Sequence, residues 1–154
     1  MVTPVDYKFH SHWRVTATPE EVTEILSDGN DLPRWWPDVY LQVEEVEPGV
    51  YKLLTKGWLP YKLRWSFRVT ERNHPHGFSL EAWGDLEGSG VWKFSRDGDF
   101  TDIDYDWTVY ARKPLLRVLS PVLKPLFEWN HRWAMARGEE SLKREIERRK
   151  VRVP

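Results

Sequence analysis

The chain has 154 residues, no cysteine and a formal net charge of −1. This length predicts one domain, covering residues 1–154. The lack of cysteine excludes a disulfide framework and fits a reducing compartment such as the cytoplasm. The near-neutral charge gives no basic footprint for nucleic acid, and we expect neither a signal peptide nor a membrane-inserted segment, which needs about 20 apolar residues.

Aromatic content is the unusual feature of the composition, with ten Trp, six Phe and six Tyr. A buried tryptophan needs apolar walls and an acceptor for its indole N–H. A domain of this size with ten of them has either an aromatic core or a cavity lined by aromatic rings. The composition alone leaves both open.

The first third of the chain predicts one strand and two short helices. Residues 6–15 alternate between apolar and polar side chains, as in a half-buried strand. Thr18, followed by a proline and two acids, has the pattern of a helix N-terminus, and Gly29 is expected to end that helix. Residues 32–36 predict a second short helix, which Pro37 stops.

The middle of the chain predicts further strands joined by short turns. These are expected over residues 39–46, 50–56, 61–70, 78–83, 91–95 and 101–111. Short connections imply an antiparallel sheet, and the alternation gives it one apolar and one charged face. The glycines at 84, 88 and 90 permit a sharp bend or the close approach of another backbone.

A long helix is expected near the C-terminus, over residues 115–150, and its part from residue 121 onward alone is roughly 45 Å at about 1.5 Å per residue. Ser120 is the expected N-cap, and Pro125 predicts a kink or a separate helical turn before the main helix. One apolar line, with spacings of three and four, is expected to be buried: Val122, Leu126, Trp129, Trp133 and Ala136. A second line widens the stripe: Phe127, Met135, Leu142 and Ile146. This helix alone is long enough to cover the apolar face of the sheet.

The predicted fold class is α+β: a curved antiparallel sheet of about six to seven strands wrapped around the C-terminal helix. This order of elements resembles the START-like helix-grip superfamily (SRPBCC), and within it the polyketide cyclase/dehydrase-type branch. The resemblance rests on these motifs: Trp13-Arg14-Val15, Ala17-Thr18-Pro19-Glu20-Glu21-Val22, Leu32-Pro33-Arg34-Trp35-Trp36-Pro37, Gly84-Asp85-Leu86-Glu87-Gly88-Ser89-Gly90 and Trp129-Asn130-His131-Arg132-Trp133-Ala134-Met135. It implies a cavity for a hydrophobic ligand between sheet and helix; some members are cyclases or hydrolases.

The expected function is binding of a small aromatic, polyketide-like or lipid-like ligand in that cavity, with no cofactor. Two alternatives stay open: a cyclase or dehydratase-type enzyme, and an interaction domain whose core is filled. The expected ligand-binding residues are Trp13, Arg34, Trp36, Trp65, Trp92, Trp107, Trp129, Asn130 and Trp133.

Polar candidates on the helix and near the cavity mouth could orient a ligand or move protons. Asn130 lies one turn from apolar residues and is favoured over His131 as the inward residue; His131 is the candidate general base. Arg34 either pairs with a ligand carboxylate or is solvated. Asp85 is a further candidate beside the glycines.

Three other features have simpler interpretations. His10 and His12 share a strand face, but no third ligand stands at recognisable spacing, so no metal site is expected. The alternating acids of residues 102–106 are expected to lie on the solvated face. The apolar loop at residues 58–60 suits either a lid or a homodimer contact.

Overall fold

A computed structural model describes residues 5–56, 62–85, 87–111 and 114–152, so the loop at residues 58–60 lies outside the described part. Within that part, one antiparallel sheet has the order β1-β7-β6-β5-β4-β3-β2. The strands are β1 (Val5–Val15), β2 (Tyr40–Glu47), β3 (Val50–Lys56), β4 (Lys62–Arg72), β5 (Gly77–Gly84), β6 (Glu87–Asp97) and β7 (Phe100–Ala111). This sheet, the short helices after β1 and the long C-terminal helix confirm the predicted helix-grip fold class.

Two short helices follow β1, as predicted. Helix α1 (Pro19–Leu26) begins after Thr18, whose hydroxyl accepts a hydrogen bond from the backbone N–H of Glu21 at 3.1 Å. This is the N-cap that the sequence pattern indicated. A 3-10 turn (Gly29–Asp31) then leads into α2 (Leu32–Trp35), which ends just before Pro37.

The long helix α3 (Pro114–Arg152) has 39 residues and agrees with the predicted range of 115–150 to within two residues at each end. The prediction that Ser120 caps the main helix is wrong, because the helix already begins at Pro114. A proline at the first helical position needs no partner for a backbone N–H, so it starts a helix well. Pro121 and Pro125 lie inside α3, so the helix continues through both prolines instead of beginning after a separate turn.

The buried face of α3 also differs from the prediction. Leu126 is 42% exposed and Trp129 is 44% exposed, whereas Met135, Leu142 and Ile146 are buried. The second apolar line packs on the rest of the protein, as predicted, and from the first line Trp133 is half-buried against the core. The described side chains begin at residue 125, so that of Val122 lies outside the comparison.

The apolar pattern did not identify the whole packed side of α3, because three residues on that side are not apolar. His131 packs on β1, Gly138 accommodates the ring of Trp36, and Glu145 binds arginines. Each has a specific partner elsewhere in the fold. Hydrophobic periodicity cannot identify residues that are buried because of such partners.

Candidate functional site

The inner face of the sheet, on the side of α3, holds a continuous row of large rings. Trp92 stacks on Tyr105 with ring centroids 4.0 Å apart, and these residues are register partners on β6 and β7. Neighbouring centroids are 5.5 to 6.1 Å apart along the rest of the row. We call this row the aromatic strip; its members in order are Trp13, Trp92, Tyr105, Trp107 and Trp65.

Glycine at position 90 makes room for the strip. A Cβ there would come within 2.7 Å of the Tyr105 hydroxyl oxygen and 3.1 Å of the Trp107 ring. Gly90 is the register partner of Trp107 across the β6–β7 pair, so the missing side chain leaves space on the inner face. The predicted close approach of another backbone occurs at Gly88, where a Cβ would meet the backbone of Thr108.

Helix α2 joins one end of the aromatic strip. The ring of Trp36 lies 5.7 Å from that of Trp13 and 5.0 Å from that of Tyr40. On its other side, Trp36 lies against Gly138 of α3, where a Cβ would clash with the indole. Trp35 and Trp36 are buried, at 5% and 3% exposure.

The polar side chains of this interior are hydrogen-bond donors that keep their protons at neutral pH. Burial raises the pKa of Tyr40, and burial together with the nearby Tyr40 raises the pKa of Tyr105 well above its ordinary value. Both phenols are therefore protonated at neutral pH. The Trp65 indole donates to the Thr55 hydroxyl at 2.9 Å.

Helix α3 contributes a second polar group where it crosses β1. The imidazole of His131 stacks on Phe9 with centroids 4.5 Å apart, and its Nε2 lies 3.5 Å from the Ser11 hydroxyl oxygen. Burial lowers the pKa of His131 to about 4, so the ring is neutral at pH 7. His131 thus contacts the inner face of β1, and the inward orientation of Asn130 stays a prediction. The spacing of four from Phe127, which packs on Tyr7, explains the contact of His131.

The expected ligand-binding residues fall into two groups. Five tryptophans are buried in one core cluster: Trp13, Trp36, Trp65, Trp92 and Trp107. Trp133 and Asn130 are half-buried, and Asn130 makes contacts of its own. Trp129 is largely exposed, and its role in binding stays a prediction.

Arg34 is engaged with protein carboxylates. Its guanidinium donates to Glu145 at 2.6 and 3.0 Å and to Asp31 at 2.5 and 2.7 Å. Glu145 is buried and also binds Arg148 and Arg149 at 2.7 to 2.8 Å. Arg34 is therefore paired with protein carboxylates while its side chain stays 43% exposed, and a role in binding a ligand carboxylate stays a prediction.

The sequence pattern missed three residues of this region. Tyr40 and Tyr105 were not singled out, although the alternation around Tyr105 already placed it on the inner face. A tyrosine on an inner face needs a hydrogen-bond partner for its hydroxyl group. Glu145 stands four residues before Arg149, a spacing typical of a solvated helix pair, so no sequence pattern indicated its burial.

The outer face carries the alternating acids, as predicted. Asp104 lies between His10 and His12, at 3.3 and 3.0 Å from their ring nitrogens. Asp106 and Asp102 continue the row on either side. No group of three His, Asp or Glu side chains suited to a metal ion occurs among the described residues. In the same part of the chain, no helix is both long and apolar enough to cross a bilayer.

Comparison with known proteins agrees with this architecture. Residues 7–147 match the profile of a family described as polyketide cyclase/dehydrase and lipid transport. No curated protein matches the chain by sequence.

Several solved structures share the fold. The Zhui aromatase/cyclase of Streptomyces sp. R1128 matches 97% of this chain and 98% of its own, with a TM-score of 0.75 and 18% identity. A START superfamily protein from Mycobacterium smegmatis matches over 92% and 97%, with a TM-score of 0.66 and 16% identity. Truncated norcoclaurine synthase from Thalictrum flavum matches over 95% and 96%, with a TM-score of 0.65 and 14% identity.

Proposed function

Because the chain belongs to the polyketide cyclase/dehydrase and lipid transport family, we propose that it binds a small hydrophobic ligand between the sheet and α3. The observation that supports this best is the aromatic strip on the inner face. Rows of indole and phenol rings with a few polar groups are the usual lining of a small-molecule site. The favoured ligand is aromatic, polyketide-like or lipid-like.

A second candidate is an enzyme of the cyclase or dehydratase type. Ring closure onto a carbonyl requires a proton to leave a carbon and another to reach the carbonyl oxygen. Tyr40 and Tyr105 are protonated donors on the inner side, and His131 is the candidate base, a half-buried neutral imidazole whose lowered pKa makes it a weak one. The structurally similar Zhui protein is an aromatase/cyclase, which favours the same candidate.

Two further proposals concern the setting of the protein. The cysteine-free composition supports a cytoplasmic location. A homodimer through the apolar loop at residues 58–60 stays a prediction, as does the absence of a nucleic-acid partner. The partner that we expect is the ligand itself.

The first experiment is native mass spectrometry of the purified protein, compared with its denatured mass. A reproducible non-covalent adduct supports binding, and its mass begins to identify the ligand. A clean apo mass is followed by titration with a panel of aromatic and acyl compounds, monitored by tryptophan fluorescence. A clean mass with no response to the panel would contradict the proposed binding.

Variants test whether the ligand lies on the aromatic strip. Trp107→Leu removes a ring of the strip and is expected to weaken binding of an aromatic ligand about tenfold, by the loss of a stacking contact. Trp83→Leu is the matched control, because Trp83 is a half-exposed tryptophan outside the strip. Equal loss in both variants would exclude the strip as the site.

Turnover separates the binding protein from the enzyme. A short poly-β-ketone thioester is incubated with the protein, and products lighter by one water are sought by mass spectrometry. If turnover is found, Tyr105→Phe is expected to lower kcat while leaving the Kd of the substrate nearly unchanged. A thioester that binds but emerges unaltered would contradict the enzyme and leave the binding protein.

A further inference from the structure

Two buried indole N–H groups lack a hydrogen-bond acceptor. The Nε1 atoms of Trp35 and Trp36 are fully buried, and neither finds a partner among the described residues. A buried donor left unpaired is unfavourable, and buried tryptophans normally find an acceptor. Two such donors, on the last residue of α2 and the residue after it, suggest an acceptor that the described part of the chain does not supply.

These indoles lie at one end of the aromatic strip. The Trp36 ring contacts Trp13, the first member of the strip, and Trp35 lies 5.6 Å from Trp36. Tyr40 packs on the other edge of Trp36 and lies near Tyr105 within the strip. A ligand placed along the strip would therefore bring one of its ends to α2.

The charged side chains at this end of the aromatic strip are already paired with each other. Arg34, next to the tryptophans in sequence, binds Glu145 and Asp31. The two phenols are held in their neutral, donating form. What the region offers a ligand is thus uncharged N–H and O–H donors.

From this arrangement, and given ligand binding as proposed above, we infer that Trp35 and Trp36 bind an uncharged oxygen acceptor of the ligand, such as a ketone, quinone or ether oxygen. The ligand lies with this oxygen at α2 and its rings along the aromatic strip. An ammonium group is disfavoured at the two indoles because an indole N–H only donates and cannot accept from it. A carboxylate is disfavoured because uncharged donors do not compensate for taking its charge out of water.

The test uses four naphthalene probes of similar shape that differ in one substituent: 2-acetylnaphthalene, 2-ethylnaphthalene, 2-naphthoate and protonated 2-(aminomethyl)naphthalene. Calorimetry or equilibrium dialysis gives each Kd. One net hydrogen bond makes the ketone bind about tenfold more tightly than the ethyl compound, and both charged probes bind more weakly than the ethyl compound.

Variants assign this preference to the indoles. Trp36→Phe and Trp35→Phe keep an aromatic ring and remove the N–H, so they are expected to reduce the preference for the ketone while the ethyl compound still binds. Trp83→Phe, at a half-exposed position, keeps the wild-type pattern. Replacing Trp36 with benzothienylalanine, which has sulfur in place of N–H, gives the same result without a change of shape.

A direct readout does not depend on a variant. In NMR spectra of protein with ¹⁵N-labelled tryptophan, the ketone is expected to shift two indole N–H signals downfield, and the ethyl compound is not.

The possible outcomes separate this inference from the proposed function. If the ketone and the ethyl compound bind equally, or if naphthoate binds best, the inference is overturned while ligand binding stands. If none of the four probes binds, the inference is overturned, and the native mass and the panel of acyl compounds then decide ligand binding.

Discussion

The two faces of β1 and β7 are built from neighbouring residues of the same strands but differ in chemistry. The inner face carries rings, including Trp13, Tyr105 and Trp107. The outer face carries a row of ion pairs in which Asp104 lies between His10 and His12. Because side chains alternate along a strand, adjacent residues of one strand belong to an apolar interior and to a charged surface.

Two histidines show what this difference does to charge. On the outer face, hydrogen bonding to Asp104 is the main cause that raises the pKa of His12. On the inner side, burial against Phe9 lowers the pKa of His131 to about 4. The outer face stabilises a charged imidazole and the inner face excludes one. The same exclusion supports an uncharged ligand for the interior.

The largest expected effect comes from removing a ring of the inner face. Trp92→Ala deletes the indole that stacks on Tyr105 and is expected to lower the free energy of unfolding by about 3–5 kcal/mol. Trp83→Ala, at a half-exposed tryptophan of β5, is the control and should lose under about 1 kcal/mol. Urea unfolding of both variants at pH 7 makes the comparison. Similar losses would mean that the inner face does not dominate the stability.

Glu145 tests whether the interior excludes every charge or only an unpaired one. Hydrogen bonds from Arg148, and also from Arg34 and Arg149, hold the pKa of this buried carboxyl well below its usual range. Glu145→Gln keeps the shape, removes the counter-charge, and is expected to lower the free energy of unfolding by about 3 kcal/mol.

The control for Glu145 is another carboxylate of α3. Glu140 is exposed and lies 3.6 Å from Arg144, so Glu140→Gln should change the free energy of unfolding by less than about 0.5 kcal/mol. Urea unfolding at pH 7 compares the two variants. If Glu145→Gln were as mild as Glu140→Gln, the arginines would be solvated without cost and the cluster would not join α2 to α3.

Alternation with a period of two predicted which way the strand residues point. It placed Trp65 and Trp107 on the inner face and Asp104 on the outer face, because burial on one side of a sheet leaves a direct pattern in the sequence. The N-cap of α1 was also predictable, since a hydroxyl and a proline at fixed positions satisfy a local geometric need.

The sequence-based predictions failed where contacts with distant parts of the chain decide which residues are buried. The apolar spacing that includes Leu126 and Trp129 predicted the buried face of α3, but the face that carries His131 and Glu145 packs instead. Their burial depends on β1 and on Arg34, which is 111 positions away in the chain from Glu145. No local pattern reports a partner at that distance, so this part of the site required the structure.

His131 provides a pH test of the inner face. Its folded pKa of about 4 lies below the ordinary 6.5, so the unfolded chain binds more protons between those values, and stability falls as the pH falls through this window. From pH 7 to pH 4.5 the loss is roughly 2 kcal/mol. Urea unfolding of wild type and His131→Phe across this range measures it. The variant should lose less on acidification, and parallel curves would contradict the buried, neutral imidazole.

His12 gives the smallest effect, with the opposite sign. Because the folded pKa of His12 is raised, the pairing of His12 with Asp104 and Asp102 stabilises the protein below about pH 6.5. This stabilisation is lost as the pH rises through the folded pKa. Since the imidazole is about half exposed, His12→Gln should cost under about 1 kcal/mol at pH 6 and almost nothing at pH 9.

Urea unfolding at these two pH values measures the difference, with His76→Gln, at an exposed position in a turn, as the control. Other charges face the imidazole and set the size of the effect: Arg14 and His10 lie beside it on β1, and Lys93 of β6 is the register partner of Asp104. These cations oppose protonation of His12, while the aspartates favour it. A larger loss at pH 9 than at pH 6 would show that the cations prevail. The outer face would then resemble the inner face in excluding a charged imidazole.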